Sequence, residues 1–468
     1  DFTRSLAQSS NVPYTLFLRG SVYLERGEYA LAAADFDAAI KLAADQADYY
    51  AFRADAYLRQ GDYEKAMADA EQATKLDAHS PLAYRIRGAV HEARQNSAEA
   101  AKDFAQAGEE YISLGDYERG KAAFSDAIRI EPKNALHYAG RANCLYKLSA
   151  YTDALTDATR AIELDPHCER AWNMRANTYD ALGDFEHAVA DYTEAIRLAP
   201  TKAVYVANRG DVYLSHRDYQ LAIADFTKAI ELEPNEASHY ANRATCYYWL
   251  DEIQLGLDDV EQALLRDPTL ARAHNMRGNL LDARGEYEAA LAAYTEAIRR
   301  DPTSAVYRYN RGKTYSNHNE FDAAIADFTD AILLAPGVAL YRSYRANCYY
   351  WKNELAQAEA DAQAAIELDQ SCDHAFNVRG RVRYHRGDFA AAVADFTRAI
   401  ELVPGDPTYH DNRGKAYEQL GNSEAAQADF AEAERLRGGP GAPQTPPGEK
   451  SNMPDQPPAG TGTPPPPG

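Results

Sequence analysis

The chain has 468 residues, 46% of them hydrophobic, and carries 71 acidic against 49 basic side chains for a net charge of −22. That apolar content supports a large core, while the acidic surplus repels phosphate backbones and argues against nucleic acid as a partner. No apolar run approaches the length of a membrane span, and no basic amphipathic segment suggests binding to a bilayer surface.

Residues 1–12 read as an N-terminal extension that begins Asp1-Phe2-Thr3 without an initiator Met, which leaves a removed signal peptide open. From residue 13 the same residue classes return every 34 positions. The first unit shows Gly20, Tyr23, Tyr29, Ala32, Phe36 and Ala39. The stretch NRGDVYLSHRDYQLAIADFTKAIELEP, residues 208–234, shows Gly210, Tyr213, Tyr219, Ala222, Phe226, Ala229 and Pro234. The set returns 102 residues later as Gly312, Tyr315, Phe321, Ala324, Phe328, Ala331 and Pro336.

Each unit predicts two helices. Small residues such as Gly210 and Ala222 let the helices approach, and Tyr213 and Phe226 fill the space between them. The turns carry Gly-Asp/Glu-Tyr/Phe at 27–29, 61–63, 115–117, 183–185, 285–287 and 387–389. There Gly can end one helix in the left-handed conformation and the acid can cap the next. Proline at 132, 166, 200, 234, 268, 302, 336 and 404 stops the second helices.

Two irregularities interrupt the period. Around 81–114 one unit is short by a helix, so residues 98–113 must serve both as second helix of the third repeat and as first helix of the fourth. The chain thus divides into residues 13–114, with three repeats, and 101–438, with ten. Residues 439–468, rich in Pro and Gly with almost no apolar bulk, read as a disordered tail.

A longer period of 102 residues is a cassette of three repeats. The words RANCLYK (141–147), RATCYYW (243–249) and RANCYYW (345–351) stand one cassette apart. Their cysteines, Cys144, Cys246 and Cys348, resemble a reactive thiol among aromatics. However, Cys168 and Cys372 share a cassette position whose third copy is Leu270, and a catalytic thiol is not replaced by leucine in a working copy. The cysteines therefore read as small packing residues. Five of them without a CxxC pair also argue against disulfides and for a reducing, cytoplasmic compartment. GDYERGKA (115–122) has Ala122 where a phosphate loop needs Ser or Thr, and SCDH (371–374) lacks a second pair of metal ligands. No catalytic residue, metal or cofactor is expected.

In its period, turns and small and aromatic positions, the chain from about 13 to 438 resembles the tetratricopeptide repeat family. Thirteen repeats can be laid down, with an N-R-G style familiar from bacterial members. Arg19, Arg53, Arg141, Arg175 and their successors stand where the family usually has leucine. The resemblance implies an all-α, right-handed superhelical solenoid of helix-turn-helix repeats whose first helices line a concave groove. It places Asn143, Tyr146, Asn173, Asn177, Tyr248, Trp249, Asn275, Asn279, Asn347, Tyr350, Trp351 and Asn377 on that lining, with Asn208 and Asn310 one step away. Basic residues at such positions, Lys147, Lys313, Arg381 and Lys415, are scattered along the chain.

Asn amides both donate and accept, so a row of them can hold a peptide backbone whatever its sequence. Tyr and Trp add contact area at low entropic cost. The expectation is a non-catalytic scaffold that binds extended protein or peptide partners along the groove. The alternatives are a regulatory or substrate-recruiting region of a larger enzyme or complex, and a rod that self-associates end to end. The register itself is testable: Ala324→Leu is expected to cost roughly 1–3 kcal/mol by overpacking a helix contact, read as a lowered melting temperature.

Overall fold

The computed structural model describes residues 12–438. The expectations for the N-terminal extension before Val12 and for the tail 439–468 lie outside the described residues. Among the described residues there are 25 helices and no strand, and none of the helices is long and apolar enough to cross a membrane. The fold is all-α, built of helix pairs. The chain divides into two compact units, one up to Val212 and the other from Tyr213.

The turns follow from residue chemistry. All six predicted glycines, Gly27, Gly61, Gly115, Gly183, Gly285 and Gly387, adopt positive φ. The acids behind them divide by length. Asp62, Asp116, Asp184 and Asp388 accept a hydrogen bond from a backbone N–H of the next helix, whereas Glu28 and Glu286 make no cap bond. The shorter carboxylate reaches back to the backbone and the longer one does not.

Inside a repeat, a small residue of the first helix receives an aromatic ring from the second. A methyl group added at Gly380 would come within 2.7 Å of Phe396, and one at Gly20 within 2.7 Å of Phe36. Where the cassette puts a small residue in place of the ring, the next repeat supplies the volume. Ala142 and Ala158 pack with Met174, and Ala346 and Ala362 with Val378. In the first unit the helix Ser97–Ser113 packs on both Pro81–Ala93 and Tyr117–Ile130. Its Asp103 pairs with Arg87 as a second helix does, and its Gly108 receives Phe124 as a first helix does.

The arginines that replace leucine are tied by a repeated interaction. Arg345 Nε donates to Asp361 Oδ2 at 2.6 Å and Nη2 to Asp361 Oδ1 at 2.8 Å, while Nη1 donates to Thr329 Oγ1 at 3.0 Å. One guanidinium thus joins its own helix, the second helix of its repeat, and the second helix of the repeat before. The same fork, always to the aspartate 16 residues on, binds Arg19, Arg53, Arg87, Arg141, Arg175, Arg243, Arg311, Arg379 and Arg413. The aspartates are buried, so two parallel charge-assisted bonds offset their desolvation. Hydrogen bonding to Asp361 holds the pKa of Arg345 above its ordinary value, against the opposing effect of burial.

Arg277 has Ala293 at the aspartate position and, among the described residues, no ion pair. Ala293→Asp is expected to add the missing contact and stabilise by about 1 kcal/mol. Asp327→Ala, which strands Arg311, is expected to cost about 3–5 kcal/mol, with both read by thermal or urea unfolding.

Candidate functional site on the first helices

First helices of successive repeats pack on one another. In the first unit Ala135–Lys147 packs on Glu169–Ala181, and in the second Ala237–Trp249 packs on Ala271–Ala283 and Ala339–Trp351 on Asp373–His385. Second helices of successive repeats make no comparable contact, so the first helices form the tighter wall of each unit.

The asparagines of this wall bind each other. Asn208 Nδ2 donates to Asn173 Oδ1 at 3.2 Å, Asn310 to Asn275 at 3.0 Å, and Asn412 to Asn377 at 2.9 Å. Each pair spans 35 residues, one repeat plus one residue, and bridges neighbouring first helices. Asn177 and Asn279 accept hydrogen bonds from the hydroxyls of the buried Tyr192 and Tyr294. Burial pushes the pKa of both tyrosines well above the ordinary value, so each hydroxyl stays protonated as a donor.

The lining read from sequence therefore separates into two sets. Asn173, Asn275, Asn279, Asn310, Asn377, Tyr146 and Tyr248 are buried and serve the packing of repeats. Asn143, Asn177, Asn208, Trp249, Asn347 and Tyr350 are half-buried, and Trp351 is 57% exposed. Trp249 stacks on Tyr219 with ring centroids 6.0 Å apart and meets Tyr248 edge-on. Asn347, Tyr350 and Trp351 come together in the second unit around Arg381, one of the basic residues that look scattered in the sequence.

Arg381 Nη1 donates to Asn347 Oδ1 at 2.8 Å, and its guanidinium lies 4.0 Å from the Tyr350 ring centroid and 4.7 Å from that of Trp351. Lys313 Nζ lies 5.1 Å from the Tyr344 ring, and Tyr344 stacks on His374 at 4.4 Å. A hydrogen bond of 3.1 Å links His374 Nδ1 and Ser343 Oγ. Desolvation, then the charges of Lys313 and Arg381, lowers the pKa of His374 to about 3, which keeps the ring neutral. Of the basic residues that look scattered along the chain, Lys313 and Arg381 thus both act on His374. Lys313, Asn347 and Arg381 stand 34 residues apart, one register position in three successive repeats. Reading that position down the repeats would have found them.

The first unit handles a half-buried cation differently. Arg170 is paired with Glu109 by contacts of 2.6 and 2.8 Å. All five cysteines are buried, and burial pushes the thiols of Cys144 and Cys348 up to about 12 and about 11, far from the thiolate that nucleophilic chemistry requires.

Tetratricopeptide repeat models match residues 17–81, 53–111, 106–167, 169–202, 203–236, 309–371 and 407–439, and a TPR repeat model matches 278–319 and 380–421. No curated protein matches the chain. Among solved structures the chain is similar to the APC/C hetero-tetramer Cut9–Hcn1, with TM-score 0.48, 13% identity, and 92% of this chain and 95% of that one covered. It is also similar to yeast Tom70, with TM-score 0.45, 16% identity, and coverage of 92% and 97%. The MamA protein gives TM-score 0.31 and 22% identity over 36% of this chain and 91% of that one.

The neutral state of His374 sets a pH dependence. Unfolded histidine ionises near about 6.5, and His374 in the folded chain only at about 3. Between those values the unfolded state binds the extra proton, so stability rises with pH across the window and falls as pH drops below about 6.5. His374→Gln is expected to flatten that slope relative to wild type in urea unfolding followed from pH 7 to pH 4, about the window the two pKa values bracket.

Proposed function

Since the chain belongs to the tetratricopeptide repeat family, we propose that it is a non-catalytic scaffold that holds extended polypeptide partners along the wall of its first helices. The observation that carries the reading is Trp351. It is a tryptophan 57% exposed on a first helix, flanked by the half-buried Tyr350 and Asn347. A large ring more than half exposed leaves apolar surface in water in the free chain, and that surface becomes useful when a partner covers it. The asparagine pairs support the same reading indirectly. By bridging neighbouring first helices they hold the wall rigid, which lowers the ordering cost a bound peptide must overcome. Half-buried Asn143, Asn177 and Asn208 supply polar edge in the first unit, and Trp249 extends the aromatic surface in the second. Within each unit, successive repeats add binding contributions along one partner.

Selection from a display library of random dodecapeptides tests the proposal, with wild type and Trp351→Ala as bait after both show equal helicity and melting. Enrichment of related peptides by wild type, lost with Trp351→Ala, is the expected result. Enrichment that survives the substitution, or none at all, rejects the first-helix wall as the binding surface.

A further inference from the structure

The repeat built of Ala271–Ala283 and Tyr287–Arg300 departs from the arginine–aspartate pairing in a specific way. Four repeats later the same register is complete. Arg413 Nε and Nη2 donate to Asp429 Oδ2 and Oδ1 at 2.8 and 2.7 Å, and His410 Nδ1 lies 3.3 Å from Oδ1 of the same carboxylate. The other nitrogen of that ring, Nε2, lies 3.3 Å from the carbonyl oxygen of Pro404. One buried carboxylate thus serves a guanidinium fork and an imidazole edge together.

At the earlier position Arg277, His274 and Pro268 repeat this set, each 136 residues before its counterpart, but Ala293 stands where the aspartate would. His274 Nε2 lies 3.0 Å from the Pro268 carbonyl oxygen, so the ring is anchored as His410 is. Both groups that would meet the carboxylate are left over. His274 Nδ1 is buried without a hydrogen-bond partner among the described residues, and Arg277 is half-buried without an ion pair. The nearby acids do not replace the aspartate. Glu296 is held by Arg299 and Arg300, and Glu261, at the register where other repeats offer the arginine a hydroxyl, is exposed. Ala293 is buried and stops at Cβ, three heavy atoms short of an aspartate. Those three atoms, one carbon and two oxygens, are the heavy atoms of formate.

We propose that this repeat binds a free small carboxylate, held by the Arg277 fork and by His274 Nδ1 where Asp429 stands in the later repeat. The site is independent of the peptide-binding reading above. A planar carboxylate accepts two parallel bonds from a guanidinium. The ring sets a further condition. His274 Nε2 faces a carbonyl and so carries a hydrogen, which leaves a lone pair on Nδ1 of the neutral ring. That lone pair repels an anion, so each carboxylate enters with one proton taken up at Nδ1, and Nδ1 then donates. In the free chain burial holds the pKa of His274 down; Arg277 and Arg300 act the same way, while the Pro268 carbonyl and Glu296 oppose them. A carboxylate beside the ring turns that balance, and its affinity therefore rises as pH falls.

The test is thermal melting of the full chain with sodium formate against sodium chloride at equal ionic strength, from about pH 8 to about pH 6. Formate is expected to raise the melting temperature of wild type saturably where chloride does not, with an apparent affinity that grows by up to about tenfold per pH unit toward the acid end. Ala293→Asp carries its own carboxylate, so it melts above wild type without ligand and responds to formate no more than to chloride. Arg277→Met keeps an apolar stem and loses the fork, and its formate affinity falls by about tenfold or more. The proposal is overturned if formate acts no more strongly than chloride, or if the affinity is equal at both ends of the pH range. It is overturned as well if Ala293→Asp melts below wild type or keeps the formate response, or if Arg277→Met binds formate as wild type does.

Discussion

The bidentate contact between an arginine of the first helix and an aspartate 16 residues later orders the rest of this structure. A leucine at the same place would bury more apolar surface but fix no direction. The guanidinium fork accepts only one orientation of the carboxylate, and its third nitrogen reaches back to the preceding second helix, as Arg243 does to Thr227 at 2.9 Å. Each such arginine therefore sets the spacing within a repeat, and those with the third contact, such as Arg141, Arg243, Arg311, Arg345 and Arg413, also set the stacking of one repeat on the last. The buried aspartate makes the arrangement unforgiving, because a slip of register leaves a desolvated charge without its partner. Where the contact is absent, at Arg277, packing takes over: Val260, Met276, Leu280, Leu281 and Tyr294 form a broad apolar cluster beside it.

Much of the fold is legible in the sequence because its information is local and periodic. A glycine that must turn left-handed, an aspartate that must cap and a ring that must meet a glycine recur at fixed distances, and a 34-residue period exposes all three. The arginine at the family's leucine position is legible too, but its reason is not visible from that position alone. The partner lies on the other helix of the repeat, in words such as ADF, TDA and DDV, directly before the aromatic or its small substitute. Positive φ at Gln95, Ser149, Arg217, Asp251, Asn319 and Asn353 was hidden for a different reason. Those turns keep the geometry of the glycine turns without the residue that advertises it.

The asparagines show where a register argument stops short. Periodicity can place Asn275 and Asn310 on or beside one wall, but it cannot tell whether two carboxamides face outward or face each other. The spacing of 35, one more than the repeat, was the available clue. A residue shifted by one position toward its neighbour lies across the helix contact, so the amides pair and sink into the wall. Trp351 and Tyr350, at the end of their helix, meet Arg381 of the next first helix, and Trp351 stays more than half exposed.

The same comparison gives Arg381 its meaning. Repeat after repeat pairs an arginine with an aspartate through one fork, and Arg170 is paired with Glu109. A fold that supplies carboxylates so regularly, with an acidic surplus to draw on, could supply one more at a neighbouring lining position. Instead it surrounds Arg381 with an asparagine and two rings, which hold the guanidinium in place without neutralising it. Lys313 stands two repeats before it, at the same register position, and both charges depress the protonation of His374. At Arg381 the fold thus departs from its regular pairing of arginine with carboxylate, and does so beside an exposed tryptophan.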